Sequence, residues 1–305
     1  MDYLNYINNT YPIRRTEQEK EEFRDYVKTT CKRLGCKVHV ETLKNKHNNI
    51  VIGDINKAKV VLTAHYDTPA TSLVPNLMLP RNKFLSNVYH FSYPFILAYI
   101  SFLLAFLIGK ISSLQYELVV VLYLVIYFAA FFLATRAFKN KNNKNDNTSG
   151  VATVLTILEQ NINSPIACIL FDNEEKGLLG SKAFNEMYKE TMAKKLVLNF
   201  DCVGLGDNII FVVKDDAEKL KAFKTIKKNI QANDVFKVHF FPLKGSCGNS
   251  DYKSFKCGVG VMACLKKKGV GFYTSKIHTN KDTVAYLENI QYIADEISKG
   301  ISKLK

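Results

Sequence analysis

Two uncharged, strongly apolar stretches in the middle of the chain constrain its fold more than any other feature. Residues 91–109 form 19 consecutive positions without a charge, and residues 118–134 form 17 more. As helices they measure roughly 28 and 26 Å, against about 30 Å of bilayer hydrocarbon. Buried helices of soluble proteins seldom stay free of charge for so long, so a transmembrane hairpin is expected in preference to two core helices. Tyr89, Tyr93, Tyr116 and Tyr123 lie near the segment ends, where an aromatic belt belongs. A hairpin returns to the side it left, so the segments before and after it share one compartment.

Charge selects that compartment. Arg81 and Lys83 precede the hairpin, and Arg136, Lys139, Lys141 and Lys144 follow it, whereas the connecting loop holds only Lys110. The positive-inside rule then puts the flanking domain on the cytoplasmic face of the cell membrane. Seven cysteines, an odd number without a C-x-x-C, argue against a disulfide framework or a zinc ribbon and suit a reducing compartment. The first residues, Met1-Asp2-Tyr3-Leu4, lack the basic and apolar regions of a secretory signal. The net charge of +14 suits anionic headgroups, and nucleic acid is not needed to explain it.

Outside the hairpin, short apolar strands alternate with amphipathic helices. Thr16-Glu17-Gln18-Glu19 reads as a capping box opening a helix that Gly35 stops. Residues 37–43 and 49–55 read as two strands, and residues 59–64 as a buried parallel strand. Further strands are expected at 166–171, 196–200, 208–213, 235–241 and 259–265, with helices at 150–160, 181–190, 216–232 and 284–304. The alternation predicts an α/β sheet layered between helices. The hairpin divides it into residues 1–85, the insertion 86–137, and residues 138–305. His39, His47, His90 and His239 have no partner pattern and are expected at the surface or an interface, and Cys168 and Cys202 in the core.

Five short sites each fall at a strand end or the loop after it. In His65-Tyr66-Asp67, positions two apart face the same way, so Asp67 can hold the imidazole of His65. Asn145-Asp146-Asn147-Thr148-Ser149-Gly150 precedes a helix, with Asn147 or Thr148 as the natural cap and Asp146 just outside it. Glu174-Glu175 follows a buried strand, where paired carboxylates need water, a partner or a metal. Asp201 closes another strand, and His278 stands in the loop Ile277-His278-Thr279-Asn280-Lys281-Asp282-Thr283. Singly, each has an ordinary reading as a turn or cap. Together, these acids and histidines suit two zinc ions with one shared carboxylate, and nitrogen and oxygen ligands without thiolate leave cobalt or manganese as substitutes.

The order H-x-D, D-N-x-S-G, E-E, D-x-V-G and I-H-T-x-x-D-T resembles the M28 zinc aminopeptidases over roughly residues 45–70 and 140–305. The resemblance implies a zinc exopeptidase-like fold: a mixed, mostly parallel sheet sandwiched by helices, with the metals at the strand ends. It also implies that His65 and Asp201 bind one zinc, Glu175 and His278 the other, and that Asp146 bridges both. Glu174 is then the general base and Asp67 orients His65. Ser246, Tyr252 and Tyr273 are candidates for a group near the oxyanion. In this family the stretch between the H-x-D acid and the bridging acid is usually short. Here 79 positions separate Asp67 from Asp146, and they contain the hairpin, which holds the catalytic centre near the bilayer. The expected activity is a membrane-anchored aminopeptidase acting on peptides. The alternatives are a non-catalytic scaffold or receptor keeping the fold, and an acyl transferase like the single-zinc glutaminyl cyclases.

Overall fold

The computed structural model describes residues 1–44 and 46–304. Helices α1 (Tyr3–Thr10) and α2 (Glu17–Arg33) lead into the antiparallel hairpin β1 (Val38–Leu43) and β2 (His47–Ile52). The capping box forms as the sequence predicts: Thr16 accepts from the Glu19 N–H, and the Glu19 carboxylate accepts from the Thr16 N–H at 2.8 Å. Next come β3 (Val60–His65) and the short β4 (Ala70–Thr71) and β5 (Asn76–Met78), then the long helices α3 (Lys83–Ile111) and α4 (Tyr116–Thr135). After β6 (Phe138–Lys139) the chain runs through α5 (Gly150–Gln160), β7 (Ile166–Phe171), α6 (Leu179–Met187), α7 (Lys189–Met192), β8 (Leu196–Phe200) and β9 (Asn208–Val213). It ends with α8 (Asp215–Lys219), α9 (Lys221–Asn229), β10 (Lys237–Pro242), β11 (Gly258–Lys267), β12 (Gly271–Ile277) and α10 (Leu287–Ile301).

The sheet is mixed and its centre is parallel. Strands β7, β3, β8 and β11 lie side by side and parallel, while β2 joins β7, and β9 joins β11, antiparallel. Alternation along the central strands feeds two cores. Val60, Leu62, Ala64, Cys168, Leu170, Leu196 and Leu198 face α1, α2, α5, α9 and α10, whereas Val61, Ala167, Ile169, Phe171 and Val197 face α6 and α7. This is the helix–sheet–helix sandwich expected of near-continuous apolar strands buried on both faces.

The differences from the sequence reading have local causes. Helix α1, capped by Asp2, is not foreseen; Tyr3, Leu4 and Ile7 bury its one apolar face. The helix expected over 216–232 breaks at Leu220, whose backbone is extended, so that α8 and α9 bury Ala217 and Phe223 separately. Strand β12 is not foreseen; β11 runs on through Lys266 and Lys267, which pair with Phe272 and Gly271 of β12. His47, expected at the surface or an interface, is buried within the chain, and its Nδ1 lies 3.1 Å from Asn173 Nδ2, which donates to it. All seven cysteines are free thiols, with Cys168 and Cys202 buried as expected.

Helices α3 and α4 are long and apolar enough to cross a membrane, and only 11% and 6% of their most apolar windows are buried, so they are not core helices. Their mutual contact uses small residues: Ser101, Ala105 and Gly109 recur every fourth position and are buried, and a Cβ on Gly109 would meet Val119 at 2.4 Å.

One buried ion pair ties α2 to the edge of the sheet that matters below. Lys20 Nζ donates to Asp172 Oδ1 at 2.5 Å with both side chains enclosed, and Asp172 Oδ2 accepts from the Asn48 N–H at 3.1 Å. Removing one partner strands a buried charge, which costs about 3–5 kcal/mol. Lys20→Met is therefore expected to lower the unfolding free energy, read from a denaturant titration, by that amount, and adding Asp172→Asn is expected to recover much of the loss, because no unpaired charge then remains.

Candidate metal centre

Three parallel strands deliver the site. β3 ends at His65, β7 is followed by Asp172 to Glu175, and β8 is followed by Asp201. The register sets His65 beside Phe171 and Thr63 beside Asn199, so the three ends lie level. Beyond its last paired residue each strand opens at the carboxyl edge of the sheet, where open α/β sheets bind ligands. His278 arrives from the end of β12, and Asp146 from the loop that opens α5.

The side chains converge around Asp146. Its Oδ1 lies 3.3 Å from His65 Nε2 and its Oδ2 lies 3.0 Å from His278 Nε2. Asp201 Oδ1 is 3.9 Å from His65 Nε2, and Glu175 Oε1 is 3.4 Å from His278 Nε2. The donor atoms of His65, Asp146 and Asp201 lie within 4.8 Å of one another, as do those of Asp146, Glu175 and His278, and Asp146 belongs to both groups. Glu174 groups with His65 and Glu175 in the same way. A cavity of about 80 Å³ is lined by both histidines, Asp146, Glu174 and Asp201.

Asp67 does more than the sequence suggests. Its backbone carbonyl, not its carboxylate, takes the hydrogen bond from His65 Nδ1, at 3.1 Å against 3.6 Å. That bond leaves Nε2 as the free nitrogen pointing into the site. The carboxylate instead accepts the backbone N–H groups of Glu174 and Glu175, at 3.0 and 3.2 Å. Asp282 does the same across the site, accepting the N–H groups of Asn145 at 3.1 Å and Asp146 at 2.9 Å. The loop of Asp146 is also stitched to the end of β8. Asn147 Nδ2 donates to the Phe200 carbonyl, Asn145 Oδ1 accepts from the Gly204 N–H, and Ser149 Oγ accepts from the Val203 N–H. The N-cap of α5 is Ser149 rather than the expected Asn147 or Thr148; Asn147 Oδ1 accepts from the Gly150 N–H, while Thr148 Oγ1 takes a bond from Arg14.

Several of these residues escape sequence reasoning. Arg14 is fully buried and donates to the carbonyls of Tyr66 and Tyr11 as well as to Thr148, bringing a cation toward Asp67 and Asp146 from far up the chain. Ser250 Oγ donates to Asp201 Oδ2 at 2.6 Å. The neighbouring Asp251 is buried with neither carboxylate oxygen hydrogen-bonded among the described residues, and burial pushes it up to about 7. Only Asp282 left a signal, as the acid four positions after His278. Of the candidate oxyanion groups, Tyr252 is buried with Ile210, Val212 and Met262, Ser246 is held by Arg81 and the Pro242 carbonyl, and Tyr273 pairs with Leu265.

The electrostatics are those of a site short of positive charge. Burial should strip protons from both imidazoles, yet Glu174 and Asp146 hold His65 well above its ordinary value, and Glu175 and Asp146 hold His278 at about 9. Burial pushes Glu174 well above the carboxylate range and Glu175 up to about 8, each against the pull of a histidine. Asp146 and Asp67 are held low: burial opposes this in both, but the pull of His278 and His65 on Asp146, and of His65 on Asp67, outweighs burial. Glu175 Oε1 is buried without a hydrogen-bond partner among the described residues. A cation in each group would satisfy that oxygen and the two free Nε2 atoms together, and imidazole with carboxylate donors fits zinc.

The chain was compared with known proteins. A search of the curated proteins found no match. Among solved structures, it is similar to the LapA aminopeptidase of Legionella pneumophila, with TM-score 0.58 and 14% identity over 98% of this chain and 69% of that one. It is similar to a Bacteroides thetaiotaomicron glutaminyl cyclase bound to N-acetylhistamine, with TM-score 0.57 and 14% identity over 100% and 97% of the two chains. BSAP, a zinc aminopeptidase from Bacillus subtilis, gives TM-score 0.50 and 16% identity over 84% and 50%. At such identities the likeness is one of fold, and it agrees with the zinc exopeptidase-like sandwich described above. The family model for Peptidase family M28 matches residues 138–298, more than half of the sequence. The chain belongs to peptidase family M28.

Proposed function

We propose that this protein is a membrane-anchored, zinc-dependent aminopeptidase that removes N-terminal residues from peptides. The observation that carries the reading is the division of Asp146, one oxygen toward each of two histidine-bearing groups. In this reading His65 and Asp201 would hold one zinc, Glu175 and His278 the other, and Asp146 would contribute to both. Zinc in such a site supplies Lewis acidity toward the scissile carbonyl and makes a water acidic enough to attack at neutral pH.

The chain's own residues do the rest. Glu174, enclosed beside the ligand groups, takes the proton of the attacking water and passes it to the leaving amine. Asp67 fixes the backbone from which Glu174 and Glu175 project while its carbonyl sets the tautomer of His65. Asp282 holds the main chain on both sides of the Asn145–Asp146 peptide. Residues 1–85 and 138–305 form one catalytic domain, and residues 86–137 anchor it through the bilayer at 91–109 and 118–134. The surplus of Arg and Lys beside the hairpin, against Lys110 in its loop, supports a cytoplasmic position for that domain.

A second reading, cyclisation of N-terminal glutamine, is favoured by the fold likeness to the Bacteroides cyclase along nearly its whole length. The presence of His65 and Asp201 as a second donor group favours the two-metal hydrolase.

Three outcomes are expected. Glu174→Gln should keep its zinc and lose about 10²–10⁴-fold in kcat on aminoacyl reporters; wild-type rates in a zinc-loaded variant would exclude Glu174 as the base. Asp282→Ala, by freeing the loop of Asp146, should weaken zinc affinity about 10–100-fold, read by competition with a chelating dye. Chelation of the wild-type protein should abolish release of free amino acids and zinc should restore it, with two ions per chain by elemental analysis. Ammonia released from N-terminal glutamine with one ion per chain would establish the cyclase instead.

A further inference from the structure

The hairpin is wired into the candidate metal centre. The backbone N–H of Ser72 donates to the carbonyl of His278 at 2.6 Å, and the next residue, Leu73, donates to the carbonyl of Ala134 in the last turn of α4 at 2.9 Å. Two main-chain hydrogen bonds thus link a candidate ligand to the end of an apolar span. β4 pairs with β6 on the other side of the hairpin, and the Arg15 guanidinium donates to the carbonyls of Arg136 and Phe138.

The clefts beside the centre are walled by the same helices. One, of about 350 Å³, is lined by Glu175 and His278 and also by Phe131, Thr135 and Arg136 at the end of α4. The other, of about 510 Å³, is lined by Ser86, Asn87 and His90 of α3 and by Met78 and Asn249, which also line the small cavity between the histidines. Phe131 lies one helical turn inside Thr135, about 6 Å along the axis. If residues 118–134 span the hydrocarbon, the first cleft reaches from Glu175 and His278 down to the boundary between headgroups and acyl chains. Arg136 and Lys176 stand exposed on this cleft without an ion pair among the described residues, as suits a layer of anionic phosphates.

We infer that the substrate is a peptide whose body lies in the bilayer and whose amino terminus protrudes by only a few residues, threading along α4 into the site. This rests on the aminopeptidase reading above and narrows its substrate class. A chain rooted in the membrane reaches such a cleft with little extended length, whereas a site raised well above the bilayer would need a long tether.

The test uses the full-length protein in vesicles of phosphatidylcholine and phosphatidylglycerol. It is given three substrates sharing one N-terminal sequence: a soluble peptide, the same peptide joined by five residues to a leucine–alanine transmembrane segment, and the same joined by thirty Gly and Ser residues. Five residues extend to about 17 Å. The two anchored substrates are equally confined to the membrane, so their ratio reports the height of the site alone. The short-linker substrate is expected to lose its N-terminal residue at least tenfold faster than the long-linker one. Equal rates, a faster long-linker substrate, or cleavage of the soluble peptide alone would overturn the inference and leave the aminopeptidase reading standing. Failure to cleave any of the three, or an aminoacyl reporter in detergent, would overturn both.

Discussion

A crowd of buried carboxyl groups at the carboxyl edge of the sheet is the constraint on which this molecule turns. Asp67, Asp146, Glu174, Glu175, Asp201 and Asp251 gather around two imidazoles, and at 4 Å two like charges repel by about 4 kcal/mol even at an effective dielectric of 20. Such a cluster stands only with protons or with cations among its members. The raised proton affinities of His65, His278, Glu174 and Glu175 all express the same deficit of positive charge. Arg14 and the Lys20–Asp172 pair supply fixed cations behind the cluster rather than within it.

The architecture resists this repulsion by fixing main chain rather than side chain. Asp67 and Asp282 each accept two consecutive backbone N–H groups, and those are the peptides that carry Glu174, Glu175 and Asp146. The Asp146 loop is bonded in turn to the end of β8, so one rigid frame carries both histidine-bearing groups. The hairpin is tied to that frame through Ser72, Leu73 and Arg15. An apolar pair of helices left exposed needs lipid or a partner surface, and here whatever covers it lies next to the chemistry. The apolar hairpin is therefore a wall of the clefts beside the candidate site.

Most of the frame was legible because short unbroken apolar runs and strand-end acids are local signals. β3, β7 and β8 could each be read from six or so residues, and the side chains that follow them were identifiable as chemistry by type. What escaped depended on distance. Arg14 is an ordinary arginine until Tyr66 and Thr148, 52 and 134 positions away, close around it. Leu220 looks like helix and becomes a break because α8 and α9 bury different faces. His47 looks solvated until Asn173 covers it. Asp67 is legible as the partner of His65, and its carboxylate lies 3.6 Å from His65 Nδ1, but only the fold shows that its carbonyl makes the hydrogen bond and that the carboxylate also holds the next loop.

The sequence by itself determined the composition of the site and the presence of two membrane-length helices, since residue type and unbroken apolarity survive any arrangement of the chain. Tertiary structure alone decided that Asp146 stands between two histidines, that Asp282 grips its loop, and that α4 borders the cleft. These are contacts between segments far apart in the chain, and the level ends of the parallel strands, set by hydrogen-bond register, supply the edge on which they meet.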